Sequence, residues 1–223
     1  MIIVIDGPAG AGKSTTAKEV ARRTESDYVD SGAVYRGFTY LFMINDFDKS
    51  RLTEALKNHD LHFDFHIDNV RVTHGDKDIT QTIRSAEINN RVSEVAAMPE
   101  VRDEVRRILR EISGDRKRGV VLEGRDLGTV VFPDADYKFF LTAAPEARAR
   151  RRFDEQTRAG ADTSLEQVRE NVEKRDRIDS TRDIDPLKKA DDAVEIDSTY
   201  LTFEEQVARI TDFVRSMRTE NNS

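Results

Sequence analysis

The sequence predicts an α/β chain: a parallel sheet with helices on both faces, interrupted by a small antiparallel insert. Two observations lead there. Short all-apolar runs recur along the 223 residues, each followed by a stretch with helical spacing. Strands buried on both faces read as such runs, and strand–helix alternation is the pattern of parallel crossover units. Residues 61–82 behave differently, alternating apolar and polar side chains, which is the period of half-buried antiparallel strands.

In chain order, Ile2 to Ile5 is the first buried-type strand, Gly7 to Gly12 a glycine-rich loop, and Ser14 to Arg23 a helix with Ala17, Val20 and Ala21 on one face. Tyr28 and Val29 form a brief second strand, with a turn expected at Asp30–Ser31–Gly32 and a helix from Tyr35 to Met43. The alternation LHFDFHID, continued by NVRV, gives the hairpin or meander of the insert, with a turn at Gly75–Asp76. Ser85 to Ile112 is helical but broken at Pro99, which cannot continue a helix begun before it. Val120 to Leu122 and Tyr137 to Leu141 are further strands, the second followed by an arginine-rich helix after Pro145. A loop over Gly160 to Ser164 leads to a helix from Leu165 to about Ile178, then a last strand, Ala193 to Ile196, and a last helix, Thr202 to Met217. The polar tail from Thr219 to Ser223 reads as disordered.

Composition narrows the function classes. Without cysteine there are no disulfides or thiolate metal sites, and nothing points to an oxidising compartment. The opening MIIVID is too short for a signal core and no run reaches membrane-spanning length, so the expected setting is the cytoplasm, with no membrane partner. A formal charge of -7 argues against a general nucleic-acid binder, yet nine arginines fall between Arg148 and Arg182. A local cation concentration on an acidic chain suits a small anionic ligand.

Gly7-Pro8-Ala9-Gly10-Ala11-Gly12-Lys13-Ser14 fits the phosphate-loop pattern G-x-x-x-x-G-K-[ST]. Glycines let consecutive backbone N–H groups curl around a phosphate, and the helix that follows points its positive end at the same charge. Lys13 can reach the β- and γ-phosphates, and the Ser14 hydroxyl can ligate magnesium. The motif follows a buried-type strand and opens a helix, the context that gives it meaning. The expectation is a nucleoside triphosphate site.

Ligands in open α/β sheets sit beyond the carboxyl ends of the strands. The segment VDSGAVYR places Ser31 and Arg36 there, and EGRDLGTVVFPDAD places Arg125 and Asp126. With Lys13, three strand ends converge on one crevice. There is no base-reading N-K-x-D of a switch GTPase. Further along, Arg175, Asp179 and Arg182 stand at i, i+4 and i+7, one face of a helix if it runs that far, with Arg177 directed elsewhere. On spacing alone, a solvated strip of ion pairs and a ligand-binding face are equally open.

DGPAGAGKST, VDSGAVYR, SEVAAMPEVR, EGRDLGTVVFPDAD, APEARARRR and RDRIDSTRDIDPL, in that order, resemble the bacterial cytidylate (CMP) kinases from the first strand to IDSTYLT. The loop is generic, whereas EGRD and RDRIDSTR are particular to that family among nucleoside monophosphate kinases. The resemblance implies a P-loop NTPase fold with a five-stranded parallel core (residues 1–57, 91–147 and 164–218). It also implies a nucleoside-monophosphate-binding insert over 58–90 and a short lid over 148–163. Asp185 departs from the pattern, standing where alanine is expected.

The resemblance implies reversible, magnesium-dependent transfer of the ATP γ-phosphoryl group to CMP or dCMP. Gly7, Pro8, Ala9, Gly10, Ala11, Gly12, Lys13, Ser14 and Thr15 would cradle ATP, with Ser14 on Mg2+. Arg36, Arg125 and Arg182 would hold the acceptor phosphate; Ser31, Arg102 and Asp126 would lie near cytosine; Ser93, Arg175 and Asp179 would face the ribose. Arg148, Arg151 and Arg152 match lid positions that join Lys13 and Arg125 in neutralising the transferred group. It also favours a monomer. Cytosine pairs an exocyclic amine donor with acceptors, so a carboxylate beside an arginine can read it. A phosphate acceptor is largely dianionic at neutral pH, so the reaction needs no general base. The open alternatives are another small P-loop kinase, acting on a different monophosphate or a metabolite hydroxyl, and a non-catalytic ATP-binding regulatory module.

Other groupings read as structure. His59, His62, His66 and His74 gather in the insert, but His62 and His66 lie too far apart along an extended strand to chelate readily. Tyr35, Phe38, Leu41 and Phe42, and separately Val101, Val105, Ile108 and Ile112, have the spacing of buried helical stripes.

Overall fold

The computed structural model describes residues 1–46, 52–66, 69–114, 118–158, 160 and 162–221. Residues 67 and 68 of the expected insert, 159 and 161 of the expected lid, and the last two of the tail lie outside that set.

Five parallel strands form the central sheet: β1 (Ile2–Asp6), β2 (Asp27–Asp30), β6 (Val120–Gly124), β7 (Tyr137–Thr142) and β8 (Val194–Asp197), in the order β2-β6-β1-β7-β8. β1 is central because its apolar run is buried on both sides, pairing Val4 with Leu122 in β6 and Lys138 in β7. Successive residues of these strands feed opposite faces. Val4, Val29 and Leu122 join a core formed with α2 (Ser31–Ile44) and α5 (Pro99–Gly114). Ile3, Ile5, Tyr28, Val121, Phe139 and Leu141 join another with α1 (Lys13–Arg23) and α8 (Phe203–Asn221). The two expected stripes are of this kind: Phe38, Leu41, Phe42, Val101, Val105 and Ile108 are buried, with Tyr35 and Ile112 packed at the margin.

The insert is a three-stranded antiparallel sheet: β3 (Leu61–Phe65), β4 (Val70–His74) and β5 (Lys77–Asp78). Leu61, Phe65, Val70 and Val72 face the core while His62, Asp64 and Arg71 face out, as period two requires. A short helix α3 (Leu52–Lys57) precedes it, and a 3-10 turn, Thr82–Arg84, leads to α4 (Ala86–Val95). Pro99 is the first residue of α5, where its missing N–H costs nothing.

Three expectations need correction. The expected turn at Asp30–Ser31–Gly32 is a helix start: the Asp30 carboxylate accepts from the Ala33 N–H at 3.0 Å and caps α2. Helix α7 (Leu165–Thr181), opened by a capping box between Ser164 and Gln167, runs beyond Ile178 and then stops, leaving Arg182 as an extended cap at φ -63, ψ 143. The tail continues helix α8 to Asn221, because Val207, Ile210 and Val214 dock it on the sheet. The arginine-rich helix is α6 (Pro145–Arg158), packed along α7.

Candidate active site

The glycine loop leaves β1 and enters α1 at the middle of the sheet. Gly7 has φ +150, and a Cβ there would stand 2.0 Å from the Leu141 carbonyl oxygen. At Gly10, φ +75, a Cβ would stand 2.8 Å from the Arg148 carbonyl. Both positions need glycine for conformation and for close approach. Lys13 is buried and donates to the Pro8 carbonyl at 2.8 Å, across the loop it would share with a phosphate chain. Burial pushes its ammonium down to about 7, with the nearby Arg125 guanidinium adding to the fall. Ser14 donates to the Glu123 carboxylate at 2.6 Å, while Thr15 turns back to the Gly12 carbonyl at 2.9 Å.

Behind the loop, Asp6 accepts from the Leu127 and Gly128 N–H groups at 3.0 and 2.7 Å. This ties the end of β1 to the π-helical turn Leu127–Val131 that follows Arg125 and Asp126. Burial pushes the Asp6 carboxyl up to about 7, against those two hydrogen bonds. Ser31 donates to the Glu123 carbonyl at 2.6 Å, so the ends of β2 and β6 are held in register.

Across from the loop lies a second cluster of cations. Arg125 bonds Asp179 of α7 at 2.9 Å. Arg36 bonds Asp30 at 2.9 Å, and Arg84 reaches the same carboxylate at 3.3 Å. Burial alone would raise the Asp30 carboxyl, but Arg36 and Arg84 outweigh it and hold it low. Arg175 is nearest to like charge: burial, then Arg125, Arg152 and Arg36, push its guanidinium down to about 10 despite Asp179. The Nε atoms of Arg36 and Arg175 are buried and make no hydrogen bond.

Beside this cluster, four residues close a ring. Arg102 donates through Nη2 to one oxygen of Asp126, and Arg182 to the other at 3.2 Å. Arg102 Nε also donates to the Asp185 carboxylate at 2.8 Å, while Arg182 Nε donates to the Asp185 carbonyl at 2.8 Å. Tyr35 lies under the Arg102 guanidinium at 5.8 Å. Burial pushes the Asp126 carboxyl up, opposing the two guanidiniums.

Lys13, Arg36, Arg125, Asp126, Arg102, Arg175, Asp179 and Arg182 thus converge, as the strand ends and the α7 spacing suggested. Arg182 arrives by a different route, from the cap rather than the helical face. Arg177 is exposed. Ser93 is buried on α4, which packs against α7 and is clipped to it by Asn90–Asn171 and Lys174–Glu94 contacts at 2.9 Å each. Arg148 is buried and anchored: Nε donates to the Ala143 carbonyl at 2.9 Å and Nη1 to the Ala9 carbonyl at 3.0 Å, and it pairs with Asp176. Arg151 donates to Ser198 Oγ at 2.9 Å and approaches the Ala11 carbonyl at 3.4 Å. Arg152 pairs with Glu155 at 2.7 Å.

Sequence reasoning missed Asp176, whose other oxygen accepts from the Ala9 N–H at 3.2 Å and so joins α7 to the loop. It also missed the joint work of Asp30 as helix cap and arginine partner, and the role of Asp6. The contacts of Asp176 with Ala9 and of Asp6 with Leu127 and Gly128 span more than one hundred residues, and no spacing rule reports them.

Motors and switches that share the phosphate loop have no need of a second buried cation cluster opposite it. A kinase does, because the acceptor as well as the donor must be held. The class is therefore a small P-loop kinase. A family model described as cytidylate kinase matches residues 3–216. A cytidylate kinase of Clostridioides difficile is 45% identical over 214 residues, 94% of this chain and 96% of its own. One from Bacillus cereus is 44% identical over 215 residues, 95% of each chain. The chain belongs to the cytidylate kinase family, and is a nucleoside monophosphate kinase. Solved structures from Thermus thermophilus and Eubacterium ventriosum superpose with TM-scores of 0.51 and 0.53. The first covers 97% of both chains at 20% identity, the second 97% of this chain and 99% of its own at 12%. At those identities they speak for the fold.

Proposed function

We propose that this chain transfers the γ-phosphoryl group of ATP to CMP or dCMP, reversibly and with magnesium, giving CDP or dCDP and ADP. The observation that carries this reading is the state of Arg36 and Arg175. Both keep a buried, unbonded Nε donor, and Arg175 stands among like charges, an arrangement that an incoming phosphate relieves. An isolated ATPase or sensor module gains nothing from it.

In this reading Gly7 to Thr15 hold the ATP polyphosphate, and Lys13 leaves the Pro8 carbonyl to reach its end. Ser14 and Glu123 offer oxygen ligands to Mg2+, whose preference is for few protein ligands plus phosphate and water. When bound, the ion neutralises charge on the transferred group. Arg36, Arg125 and Arg182 hold the acceptor phosphate; Ser31, Arg102 and Asp126 face cytosine; Ser93, Arg175 and Asp179 face the ribose. The acceptor phosphate, with a second pKa of about 6, is already nucleophilic, so catalysis reduces to in-line placement and charge neutralisation. Arg148, Arg151 and Arg152 join Lys13 and Arg125 in that neutralisation. The insert over 58–90 and the lid over 148–163 close on the ligands and exclude water. The reading extends to a monomer in the cytoplasm with nucleotides as its only partners.

The test is whether ATP consumption depends on the acceptor. With purified protein and Mg-ATP, ADP release is expected only when CMP is added, with CDP appearing in equal amount. Steady ATP hydrolysis indifferent to CMP would overturn the proposal in favour of an ATPase.

A further inference from the structure

We propose that Asp185 is a specificity-determining positioning residue: it holds Arg102 in the geometry with which Arg102 and Asp126 read the acceptor base. The inference rests on the proposed assignment of Arg102 and Asp126 to the cytosine pocket.

Asp185 acts through both of its acceptor groups. Its Oδ2 accepts from Arg102 Nε at 2.8 Å and from Arg106 at 2.9 Å. Its carbonyl accepts from Arg182 Nε at 2.8 Å. The backbone is what lets one residue face both ways. Helix α7 ends at Thr181, and four residues later Asp185 takes φ +48 immediately before Pro186. A non-glycine residue at positive φ ahead of a proline is restricted twice over, and such conformations persist where the surroundings require them.

The consequence falls on Arg102. Its Nε goes to Asp185, one Nη to the Ala96 carbonyl at 3.1 Å, the other to Asp126, and Tyr35 covers its face. Its side chain is 2% exposed and that of Asp185 16%, so this pairing is shielded from water. Without Asp185, Nε loses its partner and the guanidinium can tilt. That matters for base choice. The amine of cytosine must meet the Asp126 acceptor, whereas uracil carries a carbonyl there and favours a donor. A guanidinium held on Asp185 and Asp126 cannot offer that donor; a released one can. Asp185 therefore favours CMP by restraining an arginine, without touching the nucleotide.

The test is steady-state kinetics at saturating Mg-ATP with CMP and UMP, comparing wild type with Asp185→Gly, Asp185→Asn and Asp126→Asn. Glycine and asparagine both accept the left-handed backbone, so neither variant is strained there. Asp185→Gly is expected to raise KM for CMP about tenfold, the loss of one charge-assisted hydrogen bond, with kcat held within about twofold. Its CMP-over-UMP ratio of kcat/KM falls as well, and KM for ATP is unchanged. Asp185→Asn, which keeps an acceptor for Arg102, recovers most of both effects. If Asp185→Gly keeps the wild-type ratio while Asp126→Asn loses it, the pocket assignment stands and the proposal for Asp185 is wrong. A uniform loss of activity with every nucleotide in Asp185→Gly, not restored in Asp185→Asn, would likewise reduce Asp185 to a structural contact. If Asp126→Asn leaves the ratio unchanged too, the pocket assignment falls and takes the proposal with it.

Discussion

Arg125 and Asp179 meet at 2.9 Å although 54 residues separate them, the first just past the end of β6 and the second near the end of α7. Burial would raise the Asp179 carboxyl, but Arg125, then Arg175 and Arg182, outweigh it and hold it low. Together with an Nη1 bond to the Gly124 carbonyl at 3.1 Å, the pair keeps a largely buried guanidinium at the mouth of the sheet.

Removing the carboxylate charge should therefore be felt in stability. Asp179→Asn leaves Arg125 and Arg175 facing each other with one anion fewer. Urea unfolding should show a loss of about 1–3 kcal/mol. A midpoint equal to wild type would mean that the pair is incidental.

Lys13 gives a pH signature. Its ordinary value of 10.5 is depressed to about 7 in the empty loop, so between those limits the free protein holds it largely neutral. A bound polyphosphate favours the charged form, so ATP binding must take up a proton across that window. Affinity should be full below pH 7 and decline as pH rises above it. Calorimetry at pH 8 in two buffers of different ionisation heat should show net proton uptake, and none below pH 6. For the empty protein the sign is the usual one for a depressed group: its stabilising share is present above pH 10.5 and lost as pH falls through about 7.

Lys13→Ala tests the same side chain in turnover. If Lys13 neutralises the transferred group as proposed, its loss should lower kcat by a factor of about 100 or more, with little change in CMP affinity. Retention of near-full kcat would remove Lys13 from the mechanism.

Asp126→Asn should erode the preference for CMP over UMP, because an amide can donate as well as accept. The check is the ratio of kcat/KM for the two acceptors, expected to fall by about tenfold. An unchanged ratio would place cytosine recognition elsewhere.

Much of this was legible in the sequence, for physical reasons that vary by element. The β1 run and the glycine loop were plain because burial on both faces and positive φ restrict residue choice to apolar side chains and glycine. The α7 face was visible through the spacing of Arg175 and Asp179, since helical periodicity is local. Asp185 was visible only as a departure from a pattern, because its work depends on a left-handed turn that brings its carboxylate to α5. Asp176 gave no signal at all: Arg148 and Ala9 meet it through packing between α6, α7 and the loop. The error at Asp30 has a similar origin. Asp-Ser-Gly is turn chemistry by composition, but the same aspartate chemistry caps a helix when an apolar stripe follows.

The most direct test of the account is the acceptor profile: initial rates with Mg-ATP and CMP, dCMP, UMP, AMP or GMP supplied one at a time. The proposed reading predicts strong turnover with CMP and dCMP, weaker with UMP, and none with the purines, which lack the cytosine edge that Asp126 and Arg102 are proposed to read. Equal or greater turnover with AMP or GMP would contradict it.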